Sequence, residues 1–269
     1  MTGEPRLKIE RRDAVEWVTL NRPEALNALN PDLIEDLRDY FLELPDRKEV
    51  RIVVLRGAGR AFCAGLDLKN ASGGNDPSAD GPVQRGLGGQ RRIAEIVMAM
   101  RRCPQPIISL IQGPACGGGF SLALASDIRI AGESARMNCA YIRIGLGGCD
   151  IGSSYFLPRL VGASLAAELI LTGKFIHAER ALRLGLVAQV VPDDQLEAAA
   201  QEDIDLMLTT SPLGLRLSKE ALNINLDAGG MEAAIALEDR NQILCAQTAD
   251  FREGLSAFLQ RRAPEWKNA

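Results

Sequence analysis

A single histidine, His177, stands in a chain of 269 residues. That scarcity speaks against a Ser-His-Asp triad. His177 lies in "GKFIHAER", just ahead of a helical segment and far in sequence from every glycine motif, and reads as a surface residue. Six cysteines occur, at 63, 103, 116, 139, 149 and 245, but none forms a C-x-x-C pair, so neither a zinc site nor any other metal is expected. The apolar neighbours of Cys63, Cys103 and Cys116 instead predict buried free thiols in a reducing compartment, hence a cytoplasmic protein. No uncharged apolar stretch reaches about 18 residues, so no membrane span is expected. The N-terminal "MTGEPRLKIERRD" has no apolar core and does not read as a signal peptide. There is no basic excess: a net charge of −4 argues against a nucleic-acid partner. Arg91-Arg92 and Arg101-Arg102 sit at helical spacing and read as solvated helix faces. No internal repeat is visible.

What is present is an ordinary globular composition, 46% hydrophobic and 25% charged. Strand-like and helical segments alternate. "VEWVTL" (15–20) is rich in β-formers. Residues 31–44 place Leu33, Ile34, Leu37, Tyr40, Phe41 and Leu44 at helical period, with Asn30 as N-cap and Pro31 at the first helical position. "VRIVVLRG" (50–57) and "PIISLIQG" (106–113) read as buried strands, 89–102 as a helix ended by Cys103-Pro104, "GGFSLALAS" as a helix and "DIRIAG" (127–132) as a strand. Helices near 163–172 and 178–184 precede a short strand at 186–191. From about 195 the pattern is wholly helical, with Ser211-Pro212 opening a helix to about Leu226. The fold class is therefore α/β, with a core over 1–194 and a helical region over 195–269. Residues 70–88, rich in Gly, Asp, Ser and Pro, read as a long loop, either a lid or disordered.

Two glycine segments carry the chemistry. In "LRGAGRAFCAGLDL" (55–68), Gly57-x-Gly59 after a strand has the start of a dinucleotide fingerprint, but Phe62 occupies the third glycine position and no helix follows directly. Gly57-Ala58-Gly59 reads as a tight turn. Ala64-Gly65-Leu66 is more telling, because a glycine before a larger residue at a strand end leaves the next N–H free to point into a cleft. In "PACGGGFSLALASD" (114–127), a strand runs into Gly117-Gly118-Gly119 and a helix leaves it. First-turn N–H groups have no partner in the helix and the dipole there is positive, so an oxyanion would meet preorganised donors. A close helix–strand contact demanding small residues explains the glycines equally.

Together with "VTLNRPEALNALN" (18–30), "QPIISLIQGPACGGGFSLALASDIRIA" (105–131), "LPRLVGASLAAELILTGK" (157–174), "ERALRLGLVAQVVP" (179–192) and "DFREGLSAFLQRRAPEW" (250–266), these segments resemble the crotonase family, the enoyl-CoA hydratase/isomerase superfamily, over nearly the whole chain. The resemblance implies a spiral of β-β-α turns with a C-terminal helical region that builds homotrimers, often paired into hexamers. It implies an acyl-CoA thioester partner, with no cofactor apart from the coenzyme A of the substrate. The thioester carbonyl would lie between the backbone N–H groups of Leu66 and Gly118.

The family's hydratases use two glutamates. Their places here are Ser121 and Tyr141, so both are missing. Dienoyl-CoA isomerases and 4-chlorobenzoyl-CoA dehalogenases carry an aspartate a few residues later, and Asp150 in "GLGGCDIGSSYFLPRLVG" (145–162) matches it after an apparent one-residue insertion. Ile144, Leu146, Cys149 and Ile151 flank it, and a carboxyl desolvated there would hold its proton more tightly, as acid–base work requires. The alternative is that Asp150 caps the helix beginning near Ser153 or satisfies loop N–H groups. Tyr141 would line the substrate pocket or pack with its hydroxyl satisfied; Ser121 has no base to make it a nucleophile. Ala64 would border the pocket, Asp67 reads as a backbone brace, and Lys69 would meet CoA phosphates or solvent. Dehalogenation also needs a tryptophan and a histidine near the site, which Trp17, Trp266 and His177 do not provide. Hydration of an enoyl-CoA through Asp150 is the leading expectation, with double-bond isomerisation or non-catalytic acyl-CoA binding as alternatives.

Overall fold

The computed structural model describes residues 4–69 and 81–269. Among them are β1 (Leu7–Arg12), β2 (Val15–Leu20), α1 (Pro31–Glu43), β3 (Ile52–Gly57), α2 (Pro82–Arg102), β4 (Ile107–Ile111), β5 (Pro114–Cys116), α3 (Gly118–Ala125), β6 (Ile128–Gly132) and β7 (Arg136–Asn138). There follow α4 (Ser153–Val161), α5 (Ala163–Thr172), β8 (Ile176–His177), α6 (Ala178–Arg183), β9 (Gln189–Val191), α7 (Leu196–Leu208), α8 (Pro212–Asn225), α9 (Met231–Ala246) and α10 (Ala249–Gln260). They form two compact units, Met1–Cys103 with Ile107–Ala200, and Pro104–Pro106 with Gln201–Ala269. Among the described residues no helix is long and apolar enough to cross a membrane.

The first unit is α/β. Its main sheet has the order β1-β2-β3-β4-β6-β9, antiparallel only between β1 and β2. A second sheet, β5-β7-β8, runs beside it. Two successive turns of the chain give a strand to the main sheet, then a short strand to the second, then a helix: β4, β5, α3, and next β6, β7, α4. β3 and β4 read as unbroken apolar runs because both faces are covered, and β4 is buried at every position. α1 starts as expected: the Asn30 side chain accepts the Leu33 N–H at 3.1 Å, Pro31 follows, and Leu33, Ile34, Leu37, Tyr40 and Phe41 turn inward.

Several readings are corrected. The strand expected over 106–113 is β4, Ile107–Ile111, and a further short strand not expected, β5, follows it after Gly113, which has φ +56°. The strand expected over 186–191 is ordered only at Gln189–Val191. β1 was not foreseen; it is an edge strand with an exposed face and so lacks the apolar alternation that would announce it. α2 begins at Pro82, not at 89, although Gly86, Gly88 and Gly89 weaken it. The remainder of the expected 70–88 loop, residues 70–80, lies outside the described residues. Arg101 is not simply solvated: it lies 3.3 Å from the Asp127 carboxylate and over the Phe156 ring. Cys63 and Cys103 are buried free thiols, whereas Cys116 is half-buried.

α3 is buried along all eight residues, as a helix without a polar face must be. Its C-terminal carbonyls therefore need a buried donor, and Arg129 on β6 supplies it. The guanidinium donates to Ser126 O at 2.5 Å and, through Nε, to Leu186 O at 2.8 Å. Burial lowers the Arg129 pKa to about 10, so it remains charged at neutral pH.

Ahead of α1, Leu26 and Asn27 both take positive φ, +51° and +56°. Asn27 is fully buried; its side chain accepts the Arg22 N–H at 2.9 Å and donates to Ala58 O and Ala61 O at 2.9 and 2.8 Å. It thus fastens the 22–29 loop to the turn after β3. Asn27→Ala should lower unfolding free energy by about 3 kcal/mol in chemical denaturation, since it removes hydrogen bonds to one buried and two part-buried backbone groups and puts alanine in a left-handed conformation.

Candidate active site

The site begins where two stretches of backbone run side by side. Cys63 N donates to Pro114 O at 3.1 Å, and Cys116 N returns a bond to Cys63 O at 2.9 Å. On the other side, Leu29 N donates to Gly65 O at 2.7 Å and Asp67 N to Leu29 O at 3.0 Å. Ala64, half-buried, donates its N–H to Leu26 O at 3.0 Å. Residues 63–67 are therefore clamped from both flanks, yet among the described residues the N–H of Leu66 has no acceptor. Neither has that of Gly118, the first residue of α3.

The two N–H groups belong to adjoining segments. Gly65 has φ +94°, and a Cβ built there would stand 2.6 Å from Cys116 O and 3.6 Å from Gly118 N. Gly119 presses equally close, its absent Cβ falling 2.2 Å from Cys63 O. The glycines thus serve both readings offered by the sequence: they permit close packing, and that packing leaves two donors without acceptors.

Asp150 lies on the loop before α4 and is half-buried. The corresponding position beside Gly118 is marked by Ile151, whose Cδ1 is 3.5 Å from where a Gly118 Cβ would be. Ile151 has φ +43°, a strained conformation for a β-branched residue. The Ile151 N–H donates to Asp150 Oδ1 at 2.8 Å, and the Gln90 side-chain amide on α2 donates to the same oxygen. The carboxylate does not cap α4: the cap residue is Gly152, and Ser153 bonds the Asp150 main chain instead, its Oγ accepting the Asp150 N–H at 3.1 Å. The neighbours expected to desolvate Asp150 are not its shield either, since Ile144, Leu146 and Cys149 are exposed. Burial in the fold nevertheless raises the Asp150 pKa above the usual aspartate value, opposed by the hydrogen bonds from Ile151 and Gln90.

Ser121 and Tyr141, twenty residues apart, meet. Their hydroxyls are 2.6 Å from each other, and the Tyr141 hydroxyl donates to Gly117 O at 2.8 Å. Both side chains are buried. Burial pushes the Tyr141 hydroxyl well above its ordinary pKa, so it stays protonated at neutral pH. Asp67, expected to brace backbone, is tied to backbone through Arg22. Its Oδ2 receives Arg22 Nη2 at 2.8 Å, and Arg22 in turn donates to Ala28 O, so the brace runs through a mostly buried ion pair. Lys69 is exposed, and so is His177, which lies on β8 at the start of α6. Sequence reasoning missed Arg22 and Gln90, because nothing in their spacing pairs them with Asp67 or Asp150.

A cleft of about 1770 Å³ lies elsewhere in the first unit, lined in part by Arg60, Gln112, Arg136 and His177. It is not lined by Leu66, Gly118, Ser121, Tyr141 or Asp150. No cluster of three or more His, Cys, Asp or Glu able to hold a metal occurs among the described residues.

Tyr141→Phe removes a buried hydroxyl pair and should cost about 1–2 kcal/mol in thermal or chemical unfolding. Turnover should change only a few-fold; a loss on the order of a thousandfold would instead make Tyr141 a proton donor.

Residues 10–269 match the family model described as enoyl-CoA hydratase/isomerase. A Mycobacterium bovis protein named "Probable enoyl-CoA hydratase echA12" is 39% identical over 256 residues, 94% of this chain and 89% of its own. The Escherichia coli protein named 1,2-epoxyphenylacetyl-CoA isomerase is 36% identical over 252 residues, covering 94% of each chain. Among solved structures, an enoyl-CoA hydratase from Bacillus anthracis superposes with a TM-score of 0.91 at 32% identity, over 98% of this chain and 100% of that one. Fold, motif order and sequence agree across the full length, and the chain belongs to the enoyl-CoA hydratase/isomerase family.

Proposed function

We propose that this enzyme binds an acyl-CoA thioester with its carbonyl oxygen between the N–H groups of Leu66 and Gly118, and moves protons with Asp150 alone. The observation that carries the reading is the pair of acceptor-less N–H groups on adjoining segments, with Ile151, next to the carboxylate, beside one of them. As an enolate forms, negative charge gathers on the thioester oxygen, and two fixed donors favour it over the neutral carbonyl. Each such donor contributes about 3–4 kcal/mol in comparable oxyanion holes. Asp150, with its raised pKa, exchanges the proton at carbon. On this reading Ala64 and Tyr141 border the acyl pocket, Asp67 supports the Leu66 segment through Arg22, and the exposed Lys69 would meet CoA phosphates.

Hydration is the reaction that the name of the Mycobacterium bovis relative supports. In it Asp150 directs water onto C3 and a proton returns to C2. Isomerisation is favoured by one observation: Ser121 and Tyr141, at the positions of the hydratase glutamates, close on each other at 2.6 Å rather than present carboxylates to a water. In that reaction Asp150 carries a proton from one carbon of the acyl chain to another. Exposed apolar side chains on the C-terminal helices, Leu222, Ile235, Phe251 and Phe258 among them, support self-association as a trimer or hexamer.

The deciding measurement is mass spectrometry of 2- and 3-enoyl-CoA thioesters incubated in deuterated, oxygen-18 water, with Asp150→Asn alongside. Gain of labelled oxygen that vanishes in the variant supports hydration; a shifted double bond without oxygen supports isomerisation. Neither product, with binding intact and no deuterium exchange, makes the protein a non-catalytic binder. Gly65→Ala should displace the Leu66 N–H and lower turnover by about 10²–10³-fold. The limb of the pH–rate profile belonging to Asp150 should lie above the ordinary aspartate range, because desolvation raises its folded-state pKa.

A further inference from the structure

The Asp150 carboxylate is held asymmetrically. Oδ1 accepts two hydrogen bonds, from the Ile151 N–H and from the Gln90 amide, while among the described residues no donor reaches Oδ2. The first bond is local, a consequence of the strained turn at Ile151. The second is long-range: it comes from α2, sixty residues away in sequence. Gln90 sits on the exposed N-terminal half of that helix, where residues 81–92 are all solvent-facing. Its side chain is not needed for packing, yet it closes on the one carboxylate of the site.

We propose that Gln90 is the positioning residue for Asp150: it pins Oδ1 and leaves Oδ2 as the oxygen that carries the substrate's proton. The inference rests on the acid/base reading of Asp150. A carboxylate with both oxygens free rotates about χ2 and presents either; an amide donor, which stabilises the ionised form, removes one choice. Because Asp150 is only half-buried and among the described residues no cation is paired with it, this neutral donor is also a lever on its acidity, in the same direction as the Ile151 N–H. Gln90 thereby couples the proton-transfer group to α2. An acyl chain that shifts the exposed half of the helix would also shift the carboxylate, so the coupling gives α2 influence over which substrates are turned over.

The test is a carbon-13 NMR titration of aspartate-labelled protein, with the Asp150 carboxyl assigned from its absence in Asp150→Asn. Gln90→Leu, which keeps bulk but cannot donate, should raise the Asp150 titration midpoint by about one pH unit, and Gln90→Lys should lower it. Opposite shifts from two substitutions at an exposed helix position would not follow from a merely structural role. Rates on the enoyl-CoA panel should follow, with kcat for Gln90→Leu down about tenfold, KM within about twofold and the pH limb displaced upward. Unchanged midpoints in both variants would overturn the proposal, and if Asp150→Asn is inactive in that case the acid/base reading survives it. Full turnover by Asp150→Asn would instead overturn the acid/base reading and the positioning role with it.

Discussion

The structure depends on one steric constraint: the segment 63–67 must lie against 114–119 at backbone distance. Gly65 and Gly119 meet that demand, each with a carbonyl where a side chain would begin. The ladder formed there satisfies Cys63 and Cys116 on one side and Leu29 and Asp67 on the other. What it leaves over is as important. Among the described residues the N–H groups of Leu66 and Gly118 have no acceptor, and a polar group without a partner is the kind of feature that a ligand completes.

Much of the remaining architecture keeps that contact in place. α3 sits wholly inside the first unit, so its dipole and first-turn donors are fixed rather than solvated. Arg129 donates to Ser126 O at the far end of the same helix, where a charged donor is more effective than a neutral one, and also ties in Leu186 O. Asn27 and the Arg22–Asp67 pair secure the loop that flanks the Leu66 segment. Their contribution is rigidity, which is what keeps a pair of N–H donors aimed without reorganisation.

The acid side of the site is built differently. Where hydratases of the family have carboxylates, Ser121 and Tyr141 form a closed, neutral hydrogen-bonded pair. The charge is carried instead by Asp150 on a strained loop, only half-buried, its basicity set by the balance between desolvation and two donors. On the proposed reading this divides the labour: N–H donors fixed by the core would meet the charge that develops, and a carboxylate held through the more exposed α2 would move the proton.

The sequence by itself determined the α/β class, the helical C-terminal region, the capped start of α1 and the positions of the two glycine segments. These follow from local rules: burial imposes periodicity, helix ends require caps, and close approach excludes Cβ atoms. The absence of both glutamates and the presence of Asp150 were also legible, because they are matters of identity at a motif position. Only the tertiary structure decided how far α2 extends toward its N-terminus, where three glycines made a helix look improbable on propensity alone. Only it brought Ser121 to Tyr141, Arg22 to Asp67 and Gln90 to Asp150. Those pairs join segments twenty to sixty residues apart, and no local rule links such positions; the packing of the turns does, by bringing side chains together whose hydrogen-bonding capacity would otherwise go unmet.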